Sequence, residues 1–63
     1  MSADQQAVVR RITSQIKAEK NKELLQQQLS AMETQFGQAD QKQQGLMKII
    51  MVKIAERLAE LSE

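Results

Sequence analysis

The 63-residue chain contains no cysteine, histidine, proline, tryptophan or tyrosine, and Phe36 is its single aromatic residue. Without cysteine it forms no disulfide and offers no thiolate to a metal or a substrate. Without histidine it lacks the side chain most used for acid–base catalysis near neutral pH and for binding zinc. The two glycines, Gly37 and Gly45, are too few for a phosphate-binding loop. We therefore expect no catalytic residues, no metal site and no cofactor, which predicts that the protein is not an enzyme.

Long apolar runs are also absent from the sequence. No stretch approaches the roughly 18 apolar residues of a membrane-spanning helix. Residues 1–30 lack the basic start and apolar segment of a signal peptide, so the cytoplasm is the expected compartment. We predict one domain over residues 1–63. A chain this short buries only about 60% of its unfolded surface, so a small domain without disulfides or metals usually relies on helix packing or on a partner chain.

Strong helix formers dominate the chain, chiefly Ala, Leu, Met, Gln, Glu and Lys. Ser2 followed three residues later by Gln5 is typical of a helix start. Gly37 is expected to adopt the left-handed conformation that often ends a helix. Asp40 followed by Gln43 again has the spacing of a capping box. These signals predict a turn near Gly37 and a second helix that begins after Asp40.

The leading fold prediction is an all-α antiparallel helical hairpin that assembles into an oligomeric helical bundle or coiled coil. It has a long helix over about residues 3–36 and a shorter helix over about residues 41–62. Because a helix rises about 1.5 Å per residue, residues 1–15 of the longer helix would overhang the shorter one. The alternative is a break near Asn21, which gives a three-helix mini-bundle.

Apolar residues lie on more helix faces than one short chain is expected to bury. The predicted seam between helices or between copies has a helical period and comprises Leu25, Leu29, Met32, Phe36, Met47, Ile50, Ile54, Leu58 and Leu61. A predicted second interface, for a second copy or another protein, comprises Val8, Val9, Ile12, Ile16, Ile49 and Val52. Exposed apolar patches usually mark interaction sites, so these two sets predict association with a partner.

Positive charge is concentrated in the first third of the chain. The candidate anion-binding residues are Arg10, Arg11, Lys17, Lys20 and Lys22. A basic helix of this kind suits nucleic acid or another acidic partner. However, the region has no aromatic residue to stack on bases, which makes nucleic acid the weaker alternative.

The leading functional prediction is a non-enzymatic protein–protein interaction module. It would be a small structural, adaptor or regulatory protein that binds itself, as a homodimer or larger assembly, or binds another helical protein. The alternatives are a small nucleic-acid-associated regulator and a chaperone or inhibitor that sequesters a partner helix. No small-molecule substrate is expected. In size and number of helices the chain is similar to dimeric hairpins, secretion-system co-chaperones and small phage-encoded regulators, but no motif supports the likeness and it implies no site residues.

Overall fold

Three α-helices make up the part of the chain that the structure describes. A computed structural model of the chain describes residues 2–63. Helix α1 spans Ala3–Ala18, α2 spans Lys22–Phe36 and α3 spans Gln41–Leu61. The protein is therefore all-α, as predicted, and it has the three-helix arrangement of the alternative prediction.

The single long helix predicted over residues 3–36 is wrong, because the chain leaves the helical conformation between α1 and α2. Glu19 and Asn21 both have extended backbone, with ψ angles of 131° and 105°. Asn21 Oδ1 accepts the backbone N–H groups of Glu23 at 3.0 Å and Leu24 at 3.3 Å. Glu19 Oε1 accepts the N–H of Asn21 at 3.1 Å. The break is thus stabilised by local caps that satisfy the first free donors of α2.

The other two helix starts are capped by the predicted residues. The N–H of Gln5 donates to Ser2 Oγ, and the N–H of Ser2 donates back to Gln5 Oε1, both at 3.2 Å. At α3, Asp40 Oδ1 accepts the N–H of Gln43 at 2.8 Å. The left-handed conformation predicted for Gly37 is wrong, because its φ and ψ of −64° and −19° are right-handed helical values. The turn between α2 and α3 therefore needs no residue with positive φ.

The core lies against α3 and takes side chains from all three helices. Its four buried members are Ile16, Leu25, Ile50 and Ile54. Half-buried apolar side chains pack around them: Ile12, Leu29, Met32, Leu46, Leu58 and Leu61. Burying one such side chain contributes about 1.5–3 kcal/mol, so a core of four leaves a small margin of stability.

Helices α1 and α2 both pack on α3 and have much less contact with each other. Gln44 Nε2 donates to the Phe36 carbonyl at 2.9 Å, and Arg57 Nε donates to the Glu19 carbonyl at 2.9 Å. The start of α3 therefore lies at the end of α2, and its later part lies near the start of α2, so these two helices are antiparallel. The Cα atoms extend over 33 × 25 × 14 Å. The molecule is nearly twice as wide as it is thick, because α1 and α2 are spread to the two sides of α3.

Candidate functional site

An open groove lies between α1 and α2, with α3 as its floor. It encloses about 590 Å³. We call it the α1–α2 groove, and its lining residues are Ile12, Gln15, Ile16, Glu19, Gln28, Ala31, Met32, Ile50 and Ile54. Glu19 is the only charged residue among them. The groove is therefore an apolar cleft whose polar lining consists mainly of glutamine amides.

The wall on α2 follows from helical spacing. Gln28, Ala31 and Met32 stand at i, i+3 and i+4, so they share one face of the helix. Leu24 comes four residues before Gln28 and seven before Ala31, which places it on the same side. Leu24 is 40% exposed. The apolar surface of α2 thus continues beyond the groove toward the start of the helix.

The wall on α1 has the same arrangement. Ile12, Gln15 and Ile16 stand at i, i+3 and i+4. Val8 comes four residues before Ile12 and seven before Gln15, so it lies on this face, and it is 36% exposed. Each wall therefore has a glutamine that lines the groove, Gln15 or Gln28, and an exposed apolar residue nearer the start of the same helix, Val8 or Leu24.

The residues of the predicted seam lie mostly in the core of the single chain. Three are buried: Leu25, Ile50 and Ile54. Four are half-buried around these three: Leu29, Met32, Leu58 and Leu61. Phe36 and Met47 are half-buried toward the turn between α2 and α3. Contact between copies through any of these residues stays a prediction.

The residues of the predicted second interface are divided between core and surface. Ile16 is 5% exposed and belongs to the core, and Ile12 packs against that core. Ile12 does not project on the predicted overhang of residues 1–15, because the break between α1 and α2 lets this side of α1 pack onto α3. Val9 and Ile49 are half-buried, whereas Val8 and Val52 are exposed, Val52 to 54%.

The five candidate anion-binding residues all lie on the surface: Arg10, Arg11, Lys17, Lys20 and Lys22. None of them lines the α1–α2 groove. Within residues 2–63 the ion pairs are Lys53–Glu56 at 4.0 Å and Arg57–Glu60 at 3.5 Å, so these five cations take no part in them. The basic surface and the groove are therefore separate features of the molecule.

Arg57 is a positioning residue that sequence reasoning missed. Its Nε donates to the carbonyl of Glu19, 38 positions earlier in the chain, and its side chain is only 18% exposed. A cation at the end of a helix satisfies free carbonyl groups and interacts favourably with the helix dipole. Arg57 thereby fastens the end of α1, at the edge of the groove, to α3. The only sequence signal was the i,i+3 spacing to Glu60, which does not point to a distant carbonyl.

We expect Arg57→Ala to lower the free energy of unfolding by about 1–2 kcal/mol, because the Glu19 carbonyl loses its charged donor. Urea denaturation followed by circular dichroism measures the change. The matched control is Arg11→Ala, an exposed arginine outside the ion pairs, for which the change should stay within about 0.5 kcal/mol. Equal effects of the two substitutions would show that the Arg57 bond does not hold α1.

No family model, curated protein or solved structure matches this chain. Among the helices described over residues 2–63, none combines the length and the apolar character needed to cross a membrane.

Proposed function

We propose that the protein is a non-enzymatic interaction module that binds an apolar helix face in the α1–α2 groove. The observation that carries the proposal is an open cleft with an apolar floor of core residues Ile50 and Ile54, beside which the apolar side chains of Leu24 and Val8 are exposed. Apolar surface of this kind is usually covered by a partner in the working protein. Insertion of an amphipathic helix into an apolar groove is a common mode of recognition.

The surface area of the chain supports the same proposal. Its accessible surface is 4726 Å². A compact monomer of 7.2 kDa is expected to expose about 4,100 Å². The chain therefore exposes about 600 Å² more than a closed domain of its mass, which approaches the roughly 800 Å² that one partner hides in a standard interface.

A helix face suits the groove better than a small polar ligand does. The volume lies within the usual range for ligand sites, but such sites also carry a few fixed polar groups that orient the ligand. Here the polar lining consists of Gln15 and Gln28, both exposed, and of Glu19. One carboxylate oxygen of Glu19 already accepts the N–H of Asn21. The lining thus offers apolar contact more than directed polar recognition.

The substitution Ala31→Arg tests this proposal, because it places a long charged side chain on the α2 wall of the groove. The probe is the uncharged apolar dye Nile red at submicromolar protein concentration. We expect the wild type to enhance the fluorescence of the dye and Ala31→Arg to lose most of that enhancement at unchanged helix content. A charged side chain disfavours the apolar contact on which dye binding depends.

The matched control is Ser30→Arg, which adds the same charge one residue earlier, at an exposed position outside the groove lining. It should bind the dye as the wild type does. If Ala31→Arg and Ser30→Arg bind equal amounts of dye, the groove is not the apolar binding surface, and the proposed function is wrong.

A further inference from the structure

We propose that the occupant of the α1–α2 groove is the same face of a second copy of this chain, in a two-fold symmetric dimer. This inference rests on the proposed function, since it names the partner of the same groove.

The exposed area is sufficient for a dimer. If each copy hides its excess of about 600 Å², the pair buries about 1,200 Å² in total. That value lies at the lower limit of specific, stable protein–protein interfaces. An interface of this size is enough for a second copy, and it predicts a dimer that dissociates on dilution.

The polar lining of the groove is compatible with its own copy. In a two-fold interface the same surface patch meets itself, so like charges on that patch would repel each other. The amide of Gln15 on α1 and the amide of Gln28 on α2 both donate and accept hydrogen bonds, so either can pair with another amide. Glu19 is the only charge in the lining, and one of its oxygens is engaged by the break.

The shape of the face also suits a second copy. Beside the groove, on the same sides of their helices, Leu24 and Val8 are 40% and 36% exposed. One face thus carries both an apolar cleft and apolar side chains that project next to it. The exposed side chains of one copy can therefore enter the groove of the other copy, and the reverse contact forms at the same time. This is the requirement for a self-complementary interface.

A charge-swap experiment tests the symmetric contact. Two double variants are prepared, Gln15→Lys with Gln28→Lys and Gln15→Glu with Gln28→Glu. Whichever glutamines face each other across the two-fold axis, each variant alone places like charges together, and we expect its self-association to weaken about tenfold or more. An equimolar mixture of the lysine and glutamate variants should recover the dimer, as measured by sedimentation velocity.

The matched control changes exposed residues outside the groove lining, Ser14 and Gln27, to the same charges. These variants should dimerise as the wild type does, and circular dichroism should show unchanged helix content in all of them. If the variants with charged residues in the groove still dimerise alone, the symmetric groove contact is wrong. It is also wrong if the lysine and glutamate variants fail to form a dimer when mixed. A wild type that stays monomeric would also overturn it, whereas the dye result for Ala31→Arg would still decide the proposed function separately.

Discussion

The substitution Ile54→Asp is expected to unfold the protein. Ile54 is 1% exposed and packs among Ile16, Leu25 and Ile50, which include no polar group that could pair with a carboxylate. Burying an unpaired carboxylate costs far more than a single apolar side chain contributes. A core this small supplies only about 3–5 kcal/mol of net stability, so the chain should lose its helical circular dichroism at all temperatures.

The matched control for Ile54→Asp is Val52→Asp, two residues earlier on the same helix. Val52 is 54% exposed and lies outside the core cluster. An aspartate at this position remains hydrated, so helix content and melting temperature should stay close to those of the wild type. If Ile54→Asp folds as well as Val52→Asp does, the four-residue core is incorrect.

The substitution Lys22→Pro is expected to preserve the fold. Lys22 is the first residue of α2, where proline is well accepted because the N–H it lacks has no partner within the helix. The preceding Asn21 has φ −88° and ψ 105°, an extended conformation that residues before proline favour. In a continuous helix over residues 3–36, the same proline would remove an internal hydrogen bond and cost about 3 kcal/mol or more.

The contrasting substitution is Gln27→Pro, at an exposed position inside α2. It removes a backbone hydrogen bond in a helix that the core requires, so we expect a loss of about 3 kcal/mol or more and largely unfolded protein. Urea denaturation of both variants distinguishes a chain with a break between α1 and α2 from one with a continuous helix over residues 3–36. Equal destabilisation by Lys22→Pro and Gln27→Pro would mean that the helix continues through the break.

The helix starts were predictable from sequence because capping is a local interaction. Ser2, Asn21 and Asp40 each accept a backbone N–H two or three residues later in the chain. The choice between a continuous helix and a break was not predictable from local propensity. Residues 17–23 are good helix formers apart from Asn21, so the segment by itself favours continuation. The packing of Ile16 against α3 favours the break, and that contact joins residues far apart in sequence.

The groove could not be predicted from a sequence pattern, because it also depends on contacts between residues far apart in the chain. Periodicity identified Ile12, Ile16 and Met32 as apolar contact residues, but it could not distinguish contacts within the chain from contacts with a partner. That distinction depends on the separation of α1 from α2, which their packing on α3 determines. Gln15 and Gln28 carried no signal at all, because a glutamine in a groove wall and a glutamine on a solvated face have the same spacing.

The most direct test of the proposed self-association is the mass of the wild-type protein in solution as a function of concentration. Sedimentation equilibrium measures the mass, and circular dichroism of the same samples measures the helix content. We predict a rise from 7.2 kDa to twice that mass through the micromolar range, at constant helix content. A mass that stays at 7.2 kDa up to millimolar concentration would contradict the proposed dimer.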